Sequence, residues 1–385
     1  MPTAAALAAA LCLALPGCGA TAEAGRDAHV RASGGPEANT GAEDLRDGAV
    51  RAAVRRLAAQ GDAPGAAALI RRTGEGTRFV ASGVADVRTG RRIHRDDRFR
   101  AGSLTKTVIA AVTLRLAAQG RLGLGDTVEE HLPGLVRGHG NDGRKITLRQ
   151  LLNQTSGLFD YTDDPVLARE LSAAADRTHT PASLVRTALA HRPSFAPGAE
   201  WRYSNTNYVL LGMVVQQVTG RSYAAEARRD VLVPLRLDGT SFPGARTTLP
   251  APHGRAYTRD DGARRDVTEL NPSSAGAAGE LISTLDDLSR LVSGLLRGEV
   301  LPRAELRRMR NTSASDGQYG MGLFPVRLSC GVTLWGHNGE ITGSSVMAVA
   351  TSDGRHTLAY RLNGTARSGL PAETSLLEAE FCPRP

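Results

Sequence analysis

A serine and a lysine three residues apart form the first pattern in the chain that can do chemistry. Ser103 and Lys106 stand at the start of a predicted helix, where residues i and i+3 share one face. A serine hydroxyl becomes nucleophilic when a neighbouring base takes its proton. Lysine can be that base when it is neutral, and burial near the positive end of a helix dipole lowers its pKa. The alternative for this pattern is a helix-capping serine beside a solvated lysine.

The composition favours a special role for this lysine. Of the 47 Lys and Arg residues, the two lysines are Lys106 and Lys145. Arginine serves everywhere else as the basic residue, so a retained lysine indicates a side chain that must be able to lose its proton.

Two later patterns carry further polar groups. Tyr203 and Asn205 lie in a segment that we expect to be extended, so that positions i and i+2 project to the same side. Tyrosine beside lysine can become a phenolate or relay a proton to a leaving group. His337 and Gly339 lie on a predicted strand, where the glycine leaves room for a substrate along the strand edge.

The elements that must position these residues are strands near both ends of the chain and helices between them. Apolar periodicity predicts helices at about 45–57, 103–119, 208–218, 281–296 and 370–381. β-Prone runs predict strands at 66–72, 77–83, 332–336, 344–351 and 356–361. Residues 42–382 therefore form one mixed α/β domain, with a sheet built from both termini and a helical lobe at about 120–250.

The order Ser-x-x-Lys, Tyr-x-Asn, His-x-Gly resembles the penicillin-recognising serine hydrolases. This family contains serine β-lactamases, D-Ala-D-Ala carboxypeptidases, and related esterases and D-aminopeptidases. Segments 146–158, 278–284 and 319–323 also look like family segments, and the resemblance covers about residues 45–382. The motifs are most similar to those of class C β-lactamases and of secreted actinobacterial D-Ala-D-Ala carboxypeptidases.

The resemblance implies a role for each catalytic position. Ser103 would form the acyl-enzyme, Lys106 would be the base, and Tyr203 would shuttle the proton to the leaving group. Asn205 would position the substrate amide, and His337 would supply a positive charge that depends on pH.

The resemblance also implies a substrate-binding strand and a fold. Asn338, Gly339 and Glu340 would contact the substrate, and the oxyanion hole would use the backbone N–H groups of Ser103 and Glu340. The implied fold is an antiparallel β-sheet flanked by helices, with an all-α lobe and the site in the groove between them. The family implies no metal or organic cofactor.

Departures from the carboxypeptidase pattern leave the substrate open. Asn338 and Glu340 occupy positions where carboxypeptidases usually have small hydroxyl or alanine side chains that help to receive a carboxylate. Arg327 lies three residues beyond the position of the arginine in those enzymes. The first candidate function is a D-Ala-D-Ala carboxypeptidase-like peptidase that acts on peptidoglycan peptides and is acylated by β-lactams. The second is an esterase, β-lactamase or D-amino-acid amidase on the same scaffold, and the third is a non-catalytic binding or sensor protein.

The N-terminus predicts export. Residues 4–15 form an apolar run of signal-peptide length, and Leu15-Pro16-Gly17-Cys18 resembles a lipobox with Cys18 as the lipidated residue. Residues 1–18 are thus a predicted signal peptide and 19–41 a flexible tether. In an oxidising compartment, Cys330 and Cys382 would pair as a disulfide, with two free buried thiols as the alternative. We expect a protein secreted or lipid-anchored to the outer face of the membrane.

Charge and histidine spacing disfavour other partners. The net charge is +8, but the basic residues are scattered without a nucleic-acid-binding motif. The nine histidines show no HExxH or paired Cys/His spacing, which disfavours a metal site. The expected partner is a small-molecule or peptide substrate.

Overall fold

The computed structural model describes residues 37–173, 177–365 and 369–382. The predicted signal peptide, Cys18 and most of the predicted tether lie outside these residues. The first helix begins at Glu37, so the last five residues assigned to the tether are helical. Within the described ranges, the helices are too short or too polar to span a bilayer.

Helices and strands follow in an order close to the predicted one. The helices are α1 Glu37–Gln60, α2 Leu104–Ala118, α3 Val128–His131, α4 Leu148–Leu152, α5 Pro165–Ala173, α6 Pro181–Leu189, α7 Asn205–Thr219, α8 Tyr223–Ala227, α9 Leu285–Leu296, α10 Arg303–Met309 and α11 Pro371–Phe381. The strands are β1 Gly65–Arg72, β2 Gly76–Gly83, β3 Phe99–Arg100, β4 Arg137–Gly138, β5 Asn141–Asp142, β6 Tyr257–Asp260, β7 Ala263–Asp266, β8 Ile282–Ser283, β9 Phe324–Arg327, β10 Thr333–Ile341, β11 Ser344–Thr351 and β12 His356–Leu362.

The main sheet joins the two ends of the chain. Its order is β2-β1-β12-β11-β10-β9, and each pair of neighbouring strands in it is antiparallel. Strand β1 pairs with β2 on one side and with the last strand, β12, on the other. The predicted antiparallel sheet shared by both termini is confirmed.

Helices cover both faces of this sheet because its strands are apolar on both sides. On β1, Ala66 and Ala68 face a cluster that includes side chains of α1 and α11, whereas Ala67 and Leu69 face the larger cluster around α2. The period-two alternation of strand side chains produces this division. The face of the sheet that packs against α2 also contacts α9, and helices of the lobe pack against α2. The start of α2 therefore lies between the sheet and the lobe.

Two predicted boundaries were wrong for the same reason. The helix expected from residue 281 begins at Leu285, because Ile282 and Ser283 pair with Arg100 and Phe99 as β8 and β3. The strand expected to end at residue 336 continues to Ile341, because its second half pairs with β11. Strand pairing between distant segments decides both boundaries, and local periodicity does not report it.

A disulfide joins the sheet to the last helix. Cys330 lies in the connection between β9 and β10, and Cys382 directly follows α11. Their Cα atoms are 5.8 Å apart, within the normal range for a disulfide. The bond fixes α11 against the sheet at a sequence separation of 52 residues.

Candidate active site

Ser103 and Lys106 lie at the beginning of α2, in contact with each other. Ser103 is the residue that precedes the helix, and Lys106 Nζ is 3.0 Å from Ser103 Oγ. The lysine side chain is fully buried, with 0% exposure. The Ser-x-x-Lys spacing therefore brings the two groups within hydrogen-bonding distance.

The other neighbours of Lys106 leave one direction for the serine. Nζ is also 2.7 Å from Asn205 Oδ1 and 2.7 Å from the Ala278 carbonyl oxygen. Both of these oxygens accept hydrogen bonds. A neutral lysine has two N–H bonds and one lone pair, so the two oxygens take both N–H bonds. The lone pair is then left for the proton of Ser103.

Burial prepares Lys106 for this role. Desolvation lowers the pKa of Lys106 from 10.5 to about 7, and the charge of Asp160 opposes the shift. A substantial fraction of the lysine is therefore neutral near pH 7. The side chain can accept the proton of Ser103 without a second base.

Tyr203 also contacts Ser103. Its hydroxyl is hydrogen-bonded to Ser103, and its ring centroid is 4.8 Å from Lys106 Nζ. Burial first, and then the neighbouring Tyr319, raise the pKa of Tyr203 well above its ordinary value of 10. Tyr203 is therefore a neutral phenol, which supports the proton relay and not the phenolate.

Asn205 reaches the site from a helix and not from an extended segment. It is the first residue of α7, and Ser204 before it has extended backbone angles. Tyr203 and Asn205 both face Lys106, as predicted, but the bend into α7 brings them there. The expected extended geometry was wrong for Asn205.

Asp160 holds Asn205 in place and was missed in the sequence. Its Oδ2 accepts hydrogen bonds from the backbone N and from Nδ2 of Asn205, at 3.0 and 2.9 Å. Asn205 Oδ1 is thereby directed at Lys106. Asp160 Oδ1 also accepts from the backbone N of Thr162, which is a common arrangement for an aspartate before a short helical turn. Because the residue looks like an ordinary turn residue, its type and position gave no signal of this second role.

His337 is placed beside the tyrosines as a neutral group. It is buried, with 1% exposure. Burial lowers the pKa of His337 from 6.5 to about 3, and the charge of Lys106 acts in the same direction. Nδ1 is hydrogen-bonded to the Asn338 carbonyl oxygen, so Nδ1 carries the proton and Nε2 accepts from the Tyr319 hydroxyl at 3.0 Å. The prediction that His337 carries a positive charge near neutral pH is therefore wrong, because the buried histidine is neutral there.

Gly339 allows β10 to lie against the start of α2. A Cβ atom on Gly339 would be 1.9 Å from the Ala101 carbonyl oxygen and 3.1 Å from the Ser103 nitrogen. Gly102 has φ +52°, and a Cβ there would be 2.6 Å from the Glu340 nitrogen. The backbone nitrogens of Ser103 and Glu340 are thus neighbours, as the oxyanion hole of the resemblance requires.

The side chains of Asn338 and Glu340 belong to the opposite face of β10. Asn338 pairs with Met347 and Glu340 with Ser345, on the face where Met347 and Val349 meet the α1–α11 cluster. Paired residues in a sheet share a face, and successive residues alternate. The side chains of these two residues therefore lie away from Ser103, and the substrate contacts predicted for them stay a prediction for their backbone groups alone.

The edge of β10 beside the site extends past its neighbour. Strand β9 pairs with Thr333–Gly336, so from His337 onward β10 has no described strand on that side. Gly339 lies on this edge next to Ser103. An extended substrate can lie along the edge with its carbonyl carbon near Ser103 Oγ.

Comparison with known proteins assigns the chain to a family. The family described as Beta-lactamase matches residues 50–380. The chain belongs to the β-lactamase family of serine hydrolases. The resemblance of the motifs to this family is confirmed, and the catalytic roles assigned to Ser103 and Lys106 stay a prediction.

Two solved structures of this family are similar over most of their length. A D-stereospecific amidohydrolase from a Streptomyces species has 43% identity and a TM-score of 0.80, over 87% of this chain and 98% of that one. The D-amino acid amidase from Ochrobactrum anthropi SV3, complexed with D-phenylalanine, has 26% identity and a TM-score of 0.76, over 87% of this chain and 98% of the amidase.

A curated relative covers less of the chain. Protein flp of Staphylococcus aureus is 34% identical over 184 residues, which are 48% of this chain and 36% of that protein. The matched region therefore spans about a third of the staphylococcal protein.

Proposed function

We propose that this family member hydrolyses the amide or ester bond of a D-aminoacyl group, through an acyl-enzyme on Ser103. The observation that carries the proposal is the 43% identity to a D-stereospecific amidohydrolase over almost the whole of that protein. The D-amino acid amidase among the similar structures supports the same substrate class.

The site supports an amidase over a carboxypeptidase because it lacks the expected carboxylate receptor. His337 is neutral, and Asn338 and Glu340 direct their side chains to the other face of β10. Arg327 pairs with Thr333, four residues before His337, and donates to the Gly317 carbonyl oxygen. At about 3.4 Å per residue, this arginine is on the order of 14 Å along the strand from His337.

Acidic side chains near Asn205 suit a substrate with a free amino group. Asp160 contacts Asn205, and Asp163 lies in the turn that follows. Burial first, and then the charge of Asp160, raise the pKa of Asp163. A bound ammonium group would relieve this repulsion, whereas a carboxylate would add to it.

The reaction follows from the geometry around Ser103. Ser103 Oγ forms a bond to the substrate carbonyl carbon while Lys106 accepts its proton. The N–H groups of Ser103 and Glu340 receive the oxyanion. The C–N or C–O bond then breaks, and Lys106 returns the proton through Tyr203 to the leaving amine or alcohol. Water then attacks the acyl carbon while Lys106 accepts its proton. The bond from the acyl carbon to Ser103 Oγ breaks, Lys106 returns the proton to Oγ, and the D-amino acid and free Ser103 are released.

The second candidate is the D-Ala-D-Ala carboxypeptidase-like peptidase acylated by β-lactams. The shared motifs favour it, and the same Ser103 chemistry serves it. Kinetics should be measured on D-phenylalanine amide, L-phenylalanine amide, a peptide ending in D-Ala-D-Ala and a penicillin, with Ser103→Ala as the control. We expect the highest kcat/KM on the D-amide. Faster cleavage of the D-Ala-D-Ala peptide would favour the peptidase.

Covalent labelling separates both candidates from a non-catalytic protein. Mass spectrometry after exposure to a fluorophosphonate should show one adduct, on a peptide that contains Ser103. An adduct on Ser156 or Ser204 would contradict the assignment. Labelling without turnover of any substrate would favour a sensor.

We also propose that the protein is exported. The disulfide between Cys330 and Cys382 supports this location, since disulfides persist in oxidising compartments. Globomycin-sensitive incorporation of labelled fatty acid in the expressing cell would test lipidation of Cys18, with Cys18→Ala as the control.

A further inference from the structure

A small cavity with three arginines among its lining residues lies beside β3 and does not include Ser103. It is formed between β3, the loop before β6, and residues near β11 and β12. Its volume is about 10 Å³, the space of roughly one water molecule. Three arginines line it, Arg100, Arg255 and Arg361, and none of its lining residues is acidic.

Two of these arginines are almost fully buried with unused donors. Arg100 is 2% exposed and Arg361 is 3% exposed. Arg100 Nη2 donates to the carbonyl oxygens of Thr247 and Leu270, but Arg100 Nε and Nη1 have no hydrogen-bond partner among the described residues. Arg361 Nε and Nη1 also have none in the described part of the chain, and the Arg361 guanidinium stacks over Phe99 at 4.6 Å.

Acidic residues balance only part of the positive charge of the three arginines that line the cavity. Asp97 attracts Arg361, but its carboxylate is already bound by Arg91 at 3.0 Å. Arg255, which is partly exposed, pairs with Asp266 at 3.3 Å. No carboxylate is described in contact with Arg100. Burial lowers the pKa of Arg100 and of Arg361 to about 10, so both remain cationic near pH 7. Buried guanidinium groups without partners are costly, and an anion would satisfy both the charges and the donors.

We propose that this cavity binds a small inorganic monoanion such as chloride. The size of the cavity selects the ligand class, because a phosphate or a carboxylate-bearing metabolite needs more room. Arginine offers hydrogen-bond donors and no acceptor. An anion can accept from these donors, whereas a water molecule would also need acceptors for its own two protons, so the arginines favour an anion. The aromatic face of Phe99 closes the other side of the Arg361 guanidinium.

The position of Arg100 gives the anion a structural role for the active site. Arg100 ends β3, and the chain continues through Ala101 and Gly102 to Ser103. The Arg100 carbonyl oxygen accepts from Ser344 Oγ at 2.7 Å, at the start of β11. An anion held by Arg100 and Arg361 links this strand to β12 as well, and so supports the segment that leads to the nucleophile.

Thermal unfolding in two salts tests the site. The Tm of the full domain should be compared in sodium chloride and in sodium gluconate at equal ionic strength, because gluconate is too large for the cavity. We expect chloride to raise Tm by about 2–4 °C at concentrations well above its Kd. Arg361→Gln should lose this difference.

A matched variant distinguishes the cavity from a general salt effect. Arg310 also has a buried Nε without a partner among the residues that the structure describes, but Arg310 lies outside the cavity and stacks on Trp335. Arg310→Gln should keep the chloride response. Equal Tm values of the wild type in the two salts, or loss of the response in both variants, would overturn the proposal.

Bromide provides a measurement that does not depend on a variant folding. Crystals of the wild-type protein soaked in sodium bromide should show an anomalous peak between Arg100 and Arg361. A fully ordered cavity without such a peak would contradict anion binding, and the chloride test would then be expected to fail as well.

Discussion

Asp160 accepts two hydrogen bonds from Asn205, one from its backbone nitrogen and one from its side-chain amide. Because Nδ2 is taken by the carboxylate, Oδ1 is left to face Lys106 at 2.7 Å. Asp160 thus sets the orientation of the asparagine, and its charge also acts on the pKa of the lysine. One carboxylate therefore affects the geometry and the protonation of the base.

Replacement of Asp160 should shift the pH dependence of the reaction. Burial lowers the pKa of Lys106, and the Asp160 charge raises it again in part. Asp160→Asn removes that charge, so the acidic limb of kcat/KM should move to lower pH. The loss of a charge-assisted hydrogen bond to Asn205 should also reduce the plateau by roughly 10- to 100-fold. Asp163→Asn, in the same turn, is the control and should leave the limb in place. A limb that moves upward in Asp160→Asn would exclude this electrostatic role.

Lys106→Arg should be almost inactive although it keeps the positive charge. Arginine does not lose its proton near neutral pH, and its planar head does not fit a site built around one nitrogen. We expect a loss of about 10²–10⁴-fold in kcat. Lys145→Arg is the matched control, since this exposed lysine is the other one in the chain. Retention of more than about a third of the activity in Lys106→Arg would show that the lysine is structural.

The pH profile of the wild type should have its acidic limb near pH 7. The neutral form of Lys106 increases as pH rises through its pKa of about 7, so acylation should accelerate over that range. His337, with a pKa of about 3, stays neutral throughout. His337→Gln keeps an acceptor for Tyr319 and should leave the limb where it is. Disappearance of the limb in this variant would assign the titration to the histidine.

Gly339→Ala should abolish activity by displacing β10 from the nucleophile. The new Cβ would overlap the Ala101 carbonyl oxygen at 1.9 Å, so the strand must move. We expect both a lower Tm and loss of fluorophosphonate labelling at Ser103. At Gly125 a Cβ would meet no atom within 4 Å, so Gly125→Ala is the control and should be active. Normal labelling of Gly339→Ala would mean that the strand adapts without moving the oxyanion hole.

Loss of the disulfide should destabilise the domain without changing its chemistry. The loop closed by Cys330 and Cys382 has a sequence separation of 52 residues. The chain-entropy relation gives about 4 kcal/mol for this length. The double variant Cys330→Ser, Cys382→Ser should therefore unfold at lower denaturant concentration, with kcat nearly unchanged in the folded protein. An unchanged midpoint would show that the bond contributes little to stability.

The sequence predicted which candidate catalytic groups lie together better than it predicted their charge states. Ser103 directly precedes α2 and Lys106 lies in its first turn, so a local rule was enough to place them together. Tyr203 and Asn205 were predicted to face the same pocket, but the helix that begins at Asn205 was not foreseen there. The neutral state of His337 depends on burial by distant segments, which residue spacing does not reveal. Asp160 was missed because a turn aspartate has the same local pattern whether or not it also binds Asn205.

The pairing of β1 with β12 also sets how much of the chain must be synthesised before the main sheet can be completed. Gly65 bonds to Asn363 across 298 residues. At roughly 5–20 residues per second, a ribosome needs about 15–60 s to cover that distance. Until β12 has been synthesised, the hairpin of β1 and β2 lacks the strand that pairs with β1 on its other side. Without β12, β11 is also not connected to β1. A nascent or truncated chain therefore carries the Ser103–Lys106 motif on an incomplete sheet, and we expect it to gain activity only when its last strand is available.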